Sequence, residues 1–433
     1  MRRWNPVRVY WVLGGGITLA NSMMFVVLSV YYVTVVGMNP LQLVLVGTVL
    51  EATILLFELP TGIVADTYSR RVSVVLAMFV LGAGWLLEGS IALFATILVA
   101  EAIRGVGETF LSGALDAWLA DEIGADNVGA VYVRGGQIDR VVGLAAIGIG
   151  VALATIQPNY SVLFGGVVYV ALGFFLALFM PEHGFVPAPR VDRNPLHTMR
   201  RTLRDGAIAV RGRPVLMALI VASALWGVSS EGFDRLWEAL LLTDFTFPAI
   251  GHFQPVVWFG ILSAAGSILS LAVVEAARPR LERLTLAPSR AARALAGLTT
   301  LAMFAILGLA LAPTFGVAFV LLLAKNVLSA LAGPLQQSWL VQNIPARVRA
   351  TVLSMNSLSN ALGQTVGGPG IGALGNRRGL RSAIFAAGLL ILPEIGVFAY
   401  AGRDPTGDEP VVTAPAGDNA VVTPLVVPSP EGD

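Results

Sequence analysis

The residues best suited to chemistry are ionisable side chains that interrupt long apolar stretches. Glu101, Arg104 and Glu108 are spaced i, i+3 and i+7, so a helix would place all three on one face. A charge inside a bilayer is costly and therefore faces a partner or an aqueous path. We interpret Glu108 or Glu101 as a carboxylate that exchanges a proton, and Arg104 as the cation that controls its proton affinity. A static Glu101–Arg104 ion pair without a functional role is the alternative.

A second set of carboxylates occupies an earlier apolar stretch. Glu51 and Glu58 are seven residues apart and share a helical face. A carboxylate buried there could take up a proton. A static ion pair with Arg104 or Arg140 would explain the same residues without proton exchange.

Four ionisable residues share one face of a later stretch: Glu231, Asp234, Arg235 and Glu238. With a rise of about 1.5 Å per residue, Arg235 lies about 30 Å along a helix that begins near residue 214. This depth predicts an outer-gate ion cluster formed by Asp234, Arg235 and Glu238. Glu88 and Glu394 also lie in apolar stretches, and we expect both to be structural or internal to a helical bundle.

The composition shows which elements must position these side chains. Of the 433 residues, 56% are hydrophobic and 13% are charged, whereas a soluble domain has about 25% charged residues. A helix that crosses a bilayer needs about 20 apolar residues. The chain is therefore predicted to be an all-α polytopic membrane protein. Twelve transmembrane helices are expected near residues 9–36, 42–65, 72–90, 94–120, 135–156, 160–181, 214–242, 253–276, 292–312, 314–341, 351–374 and 380–401.

Several classes of function lack the residues that they need. The sequence has no Cys and three separated His, which argues against thiol chemistry, disulfides and a His-rich metal site. Its 28 basic and 27 acidic residues nearly cancel, so nucleic acid is not an expected partner. Lys325 is the single lysine and lies inside a span, so a G-x-x-x-x-G-K-[ST] phosphate loop is absent and no cofactor is expected.

The arginines determine the predicted orientation. Connections on the side of the N-terminus contain most of them, whereas the opposite side has only Arg377, Arg378 and Arg381. Positive residues favour the cytoplasmic side. Both termini are therefore predicted to be cytoplasmic.

The longest connection divides the chain into four predicted parts. They are an N-terminal bundle (1–181), a cytoplasmic linker (182–213), a C-terminal bundle (214–401) and a tail (402–433). The linker alternates apolar residues with arginines, which is typical of an amphipathic helix on lipid headgroups, although a solvated basic linker would have the same charge. The tail is rich in Pro, Gly and Asp and is predicted to be disordered.

The two predicted bundles show signs of an internal repeat. Setting Arg104 on Lys325 also aligns Trp118 with Trp339. In this register, carboxylates of the first copy face amides of the second: Asp116 faces Gln337, Asp121 faces Gln342 and Glu122 faces Asn343. Only carboxylates exchange protons near neutral pH. A proton site, Asp116 among the candidates, is therefore expected in the N-terminal copy.

The connection between the second and third spans contains Gly62, Asp66, Arg70 and Arg71 in the pattern G-x-x-x-D-x-x-x-R-R. This pattern, together with twelve spans in two halves, resembles the major facilitator superfamily over residues 9–401. The resemblance implies two six-helix bundles that alternate access across the membrane, and a gating role for these four residues. Positive-inside topology alone would also explain Arg70 and Arg71.

The resemblance further implies that the first, fourth, seventh and tenth spans line a central cavity. Asn21, Arg104 and Lys325 fall near the membrane midplane, the depth at which such transporters bind substrate. Glu231 lies on the seventh span. We therefore expect these four residues to line the substrate cavity, with Arg104 and Lys325 opposite each other.

The leading hypothesis is a secondary active transporter, not an enzyme, that couples protons to efflux of small amphiphilic or cationic compounds. It is expected to act as a monomer in the cell membrane. Antiporters of the family often have a proline within a glycine motif on the fifth span, whereas this chain has Gly143, Gly148 and Gly150 without one. A solute:proton symporter for metabolite uptake is therefore the close alternative. A membrane sensor that binds a ligand without moving it is a third possibility.

Overall fold

A computed structural model describes residues 4–187, 204, 214–249, 255–344 and 349–403. These residues form helices and contain no strand. The predicted all-α fold is therefore confirmed. The predictions for the linker 182–213 and the tail 402–433 fall largely outside the described residues.

The N-terminal half, residues 4–187, consists of seven α-helices. They are α1 (Pro6–Val30), α2 (Pro40–Thr67), α3 (Arg70–Ser90), α4 (Phe94–Leu111), α5 (Ala114–Ile123), α6 (Val128–Ile156) and α7 (Pro158–Phe179). Short polar motifs fix where two of them begin. Asn39 forms a capping box with Gln42 at the start of α2, and the Ser69 hydroxyl accepts a hydrogen bond from Val72 N at the start of α3.

The C-terminal half, residues 214–403, follows the linker. Its described helices are α8 (Pro214–Asp244), α9 (Pro255–Thr285), α10 (Pro288–Leu311), α11 (Phe315–Asn343), α12 (Arg349–Leu362), α13 (Gly368–Arg378), α14 (Leu380–Leu389) and α15 (Leu392–Ala401). The helices of each half pack mainly on one another. The division into two bundles remains a prediction, with which this packing agrees.

Several predicted spans are not continuous α-helices. Gly113 has a φ of 71°, which only glycine adopts easily, and it separates α4 from α5 within the predicted span 94–120. The predicted span 380–401 is likewise divided between α14 and α15. Two π-helical turns, Tyr31–Val36 after α1 and Gly363–Gly367 between α12 and α13, interrupt other spans. Hydropathy missed these breaks because it reports length and polarity, and not backbone winding.

Nine helical segments of the described residues are long and apolar enough to cross a membrane. The predicted fourth, seventh and eleventh spans are also helical but do not meet that criterion. Charged residues interrupt α4 and α8, and α12 and α13 are rich in Gly, Ser and Asn. The predicted twelve-helix arrangement is consistent with these helices. The fourth, seventh and eleventh spans, which are the more polar ones, contain most of the residues of the site described below.

The two halves contact each other at the start of α2. There, Leu41 N donates to Asn376 Oδ1 at 3.1 Å, and Asn376 Nδ2 donates to Asn39 Oδ1 at 3.2 Å. At the opposite end of α2, the Asp66 side chain is 60% exposed, and a Cβ placed on Gly62 would have no atom of the described residues within 4 Å. The described structure is therefore closed at the start of α2 and open at its end.

Candidate functional site

A buried ion cluster lies inside the N-terminal half. Arg104 Nη1 donates to Glu101 Oε1 at 2.7 Å and to Glu88 Oε2 at 3.3 Å. The Arg104 guanidinium also stacks on the Trp85 ring, 3.4 Å from its centroid. Glu88 and Glu101 are fully buried and Arg104 is 4% exposed. We call Glu88, Glu101 and Arg104 the buried triad.

The buried triad has more negative than positive groups. Two carboxyls share a single guanidinium, and Glu101 Oε2 and Arg104 Nε have no hydrogen-bond partner among the described residues. Burial of charges without full compensation is unfavourable. The arrangement is therefore suited to hold a proton on one of the two carboxyl groups.

Tyr32 connects the buried triad to a cavity between the two halves. Its hydroxyl makes a short hydrogen bond to Glu88 and lies 3.4 Å from Glu101 Oε1. The neighbouring Tyr31 hydroxyl donates instead to the Glu88 carbonyl at 2.9 Å. Tyr32 also lines the cavity, which has a volume of about 420 Å³. A single side chain thus contacts both the buried carboxyls and the cavity.

This deep cavity is lined mainly by carboxylates and aromatic rings. Glu231 forms an ion pair with Arg235, at 3.0 Å between Oε1 and Nε. Asp234 is 61% exposed and lies 4.0 Å from Lys325 Nζ. The carboxylates of Glu51, Glu231, Asp234 and Glu238 line the cavity, against the single guanidinium of Arg235. The lining is therefore net acidic when its carboxyls are ionised.

A second pocket, of about 390 Å³, lies next to the deep cavity in the C-terminal half. Its lining includes the carboxyls of Glu51 and Glu394 and five side-chain amides: Gln336, Gln337, Asn356, Asn360 and Gln364. Gln336 Nε2 donates to Glu394 Oε1 at 2.9 Å, and Gln364 Nε2 donates to Asn360 Oδ1 at 2.6 Å. We call this volume the amide pocket.

The residues predicted to line the substrate cavity separate into different environments. Glu231 lines the deep cavity and Lys325 contacts it through Asp234. Arg104 lies in the buried triad. Asn21 Oδ1 accepts a hydrogen bond of 2.8 Å from the Tyr169 hydroxyl. Arg104 turns towards Glu88 and Trp85 of α3, and its opposition to Lys325 stays a prediction.

The predicted proton-coupling residues are likewise divided. Glu101 belongs to the buried triad, whereas Glu108 on the same helix face forms no ion pair with Arg104. Glu51 lines both the deep cavity and the amide pocket, and Glu58 is exposed. Asp116 accepts a hydrogen bond of 3.1 Å from the Tyr132 hydroxyl in a separate pocket. The described residues therefore bring together Glu101 and Arg104 but not the complete predicted set.

The predicted outer-gate cluster is also divided. Arg235 pairs with Glu231 and not with Asp234 or Glu238. This pair packs against Gly47 of α2, where an added Cβ would overlap the Glu231 carboxylate. The ion pair therefore lies at a contact between the two halves.

The loop motif packs within the N-terminal half. Asp66 Oδ1 lies 3.8 Å from Arg70 Nη2, and Arg70 makes a close ion pair with Asp121 of α5. Arg71 Nη2 donates to the Ala177 carbonyl at 2.7 Å.

Glu122, near the end of α5, accepts hydrogen bonds from the backbone N–H groups of His183 and Gly184. Burial opposes ionisation of Glu122, but these hydrogen bonds outweigh it and lower the pKa of Glu122.

Sequence reasoning missed two members of the site. Glu88 is predicted to be structural or internal to a bundle, and it does lie inside the N-terminal half. The sequence did not show that Glu88 and Glu101 both accept hydrogen bonds from Arg104. The short connection 91–93 makes α3 and α4 neighbours, and this was the available signal. Nothing in the sequence pattern indicated Tyr32, because its position depends on the π-helical turn Tyr31–Val36.

The helices and the acidic cavity between two halves define a membrane carrier for small solutes. The model of the Major Facilitator Superfamily matches residues 10–368. The chain belongs to this superfamily and is a multi-pass membrane transporter. A relative in Bacillus subtilis (strain 168), the uncharacterized MFS-type transporter YxaM, is 23% identical over 360 residues that cover 82% of this chain and 86% of the relative.

Solved structures share the fold at low sequence identity. The nucleoside transporter NupG is 13% identical, with a TM-score of 0.71 over 92% of this chain and 98% of that one. A POT family transporter in complex with a thioalcohol-conjugated peptide is 13% identical, with a TM-score of 0.69 over 92% and 96%. An inward-facing, unoccupied bacterial homologue of the human lysosomal transporter Spinster is 14% identical, with a TM-score of 0.67 over 93% and 97%.

Proposed function

We propose that this transporter exports small amphiphilic or cationic compounds in exchange for protons. The observation that carries the proposal is the buried triad, in which two carboxyls share Arg104 and contact the acidic cavity through Tyr32. A proton held on the triad can leave only through a polar neighbour, and Tyr32 is such a neighbour. In this proposal the monomer lies in the cell membrane with both termini in the cytoplasm.

Charge explains why a cation would compete with protons. Four carboxylates and one guanidinium line the deep cavity. A bound cation stabilises the ionised carboxylates and thereby favours release of their protons. Proton uptake in turn weakens cation binding. Such competition is the thermodynamic requirement for exchange of one species against the other.

Gating in this proposal uses the contacts at the two ends of α2. The described structure is closed at Leu41 and Asn376 and open near Gly62 and Asp66. Opening the first contact would require closure at the second to keep the membrane sealed. We propose that Gly62, Asp66, Arg70 and Arg71 form that second contact in the alternate state.

The test measures substrate-triggered proton movement in proteoliposomes with a pH-sensitive dye inside. Addition of a lipophilic or hydrophilic cation to acid-loaded vesicles should release protons. Glu101→Gln and Glu88→Gln should abolish this release, whereas Glu58→Gln, at an exposed position on α2, should retain it. Proton release that survives in both triad variants would contradict the proposed coupling site, and a parallel Glu108→Gln variant then tests the neighbouring carboxyl.

The second candidate function is solute:proton symport for uptake of a metabolite. The amide pocket favours it, because amides both donate and accept hydrogen bonds and so suit a neutral polar solute. The structural neighbours described as nucleoside and peptide transporters also favour it. Acidification of the vesicle interior when a neutral solute enters would identify symport. Solute binding without any flux would identify a sensor instead.

A further inference from the structure

The deep cavity and the amide pocket share part of their lining. Glu51 and Gln364 contribute to both, and the two volumes are about 420 and 390 Å³. Gln364 also makes a hydrogen bond of 2.6 Å with Asn360, which belongs to the amide pocket alone. One ligand can therefore contact the carboxylates of the first volume and the amides of the second.

The deep end of this combined volume has carboxylates without an ion-pair partner. Glu231 is paired with Arg235, and Asp234 is near Lys325. Glu51 and Glu238 form no ion pair among the described residues, although both line the cavity. Ionised carboxylates that are partly removed from water need a cationic partner. An amino group on the ligand supplies one.

The amide end presents hydrogen-bonding groups that the protein leaves unused. Gln336 and Gln364 already donate to Glu394 and Asn360. The side-chain amides of Gln337 and Asn356 have no hydrogen-bond partner among the described residues, and both line the pocket. A ligand without hydrogen-bonding groups would remove these amides from water without compensation, which disfavours its binding.

We propose that the combined volume binds a hydrophilic amine that carries several hydroxyl or amide groups, such as an amino sugar or an aminocyclitol. The amino group lies at Glu51 and Glu238, and the hydroxyl groups lie along Gln337 and Asn356. This inference rests on the proposed export of cationic compounds and selects the polar members of that class. A bulky lipophilic cation fits the charge of the deep end but not the amide wall.

Binding measurements on the full chain in lipid nanodiscs test this proposal. The probes are glucosamine and streptamine, which have amines and hydroxyls, together with glucose, which lacks an amine, and tetraphenylphosphonium, which lacks hydrogen-bond donors. Calorimetry should show saturable binding of the two amines, with glucose and tetraphenylphosphonium binding at least about tenfold more weakly, as expected from one or two missing polar contacts.

Variants separate the two ends of the site. Gln337→Leu and Asn356→Leu should each weaken glucosamine binding by about fivefold to tenfold without weakening tetraphenylphosphonium. Glu238→Gln should weaken both cations. Gln157→Leu, at an exposed position outside both volumes, is the matched control and should change neither. Circular dichroism confirms that each variant remains folded.

The outcomes also distinguish this inference from the proposed function. If neither amine binds, or if binding is unchanged in both amide variants, the hydrophilic-amine site is wrong. Proton release by tetraphenylphosphonium would then still support proton-coupled export. If glucosamine binds with the expected variant pattern but no cation moves protons, the site stands and the proposed antiport fails.

Discussion

Arg104 and Lys325 occupy corresponding positions in the aligned halves, yet their surroundings differ. Arg104 is 5% exposed as a side chain and contacts two buried carboxyls and Trp85. Lys325 is 21% exposed, lies 4.0 Å from the exposed Asp234, and sits 4.6 Å above the centroid of Phe233. The two halves therefore use their corresponding cations differently. The N-terminal half encloses its cation in a charge cluster, whereas the C-terminal half leaves Lys325 partly exposed beside Asp234 of the deep cavity and lines the amide pocket with amides.

Substitution of the two cations should show the largest difference. Arg104→Gln leaves Glu88 and Glu101 buried without a guanidinium, so it should destabilise the protein by about 3 to 5 kcal/mol and abolish transport. Lys325→Gln should cost about 1 kcal/mol or less, because its ion pair is long and partly exposed. Thermal unfolding in detergent measures both. Equal losses in the two variants would remove the proposed distinction between the halves.

Tyr32→Phe tests whether the buried triad communicates with the cavity. Loss of the hydroxyl removes its hydrogen bond to Glu88 and its 3.4 Å contact with Glu101; one hydrogen bond to a charged group is worth roughly 1.5 to 3 kcal/mol. Proton-coupled flux in proteoliposomes should fall at least about tenfold, while the fold is retained. Tyr31→Phe is the matched control, since its hydroxyl contacts only the Glu88 backbone. A similar loss of flux in both variants would argue for a packing effect.

Two glycines on α2 test its two ends separately: Gly47 lies towards the closed start of the helix, and Gly62 lies at its open end. Gly47→Ala places a methyl group against Glu231 and Arg235, so it should destabilise the described state by about 1 to 3 kcal/mol. Gly62→Ala meets open space and should be neutral or stabilise by up to about 1 kcal/mol through helix propensity.

Single cysteines placed near each contact report which state is populated, because the natural sequence contains none. Gly47→Ala should increase labelling at the Leu41 contact. Gly62→Ala should leave labelling unchanged but slow turnover if Gly62 forms a contact in the alternate state. Normal turnover of Gly62→Ala would oppose the gating proposal for this motif.

The smallest effect is expected at Glu122, which is aligned with Asn343 in the sequence repeat. Hydrogen bonds lower the pKa of Glu122 in the folded state. The ionised carboxylate therefore stabilises the fold at pH values above the ordinary pKa of a carboxyl group. That contribution is lost as the pH falls through the lowered pKa. Glu122→Gln should therefore be slightly less stable than the natural chain near pH 7 and equal to it in acid. Melting temperatures measured across this range check the sign.

The fold was predictable because the long apolar stretches and the motif at Gly62 to Arg71 are local properties of the sequence. The superfamily was predicted correctly on the same basis. The ion pairs were less predictable. The spacing along α4 predicted that Glu101 could contact Arg104, but it did not indicate towards which neighbouring helix the Arg104 side chain would turn. Glu88 and Tyr32 join it from other helices, and their contacts depend on packing that one sequence does not reveal.

The deep cavity is bounded by two places where the helical winding departs from the ordinary turn. Tyr32 and Gln364 line it from opposite halves, and each lies in a π-helical turn. A π turn holds a surplus residue, and one residue corresponds to about 100° of rotation around an α-helix. Rewinding either turn into an α-helix would therefore rotate the residues on one side of it by about 100° relative to those on the other side, which would withdraw the Tyr32 phenol from Glu88 or the Gln364 amide from Asn360.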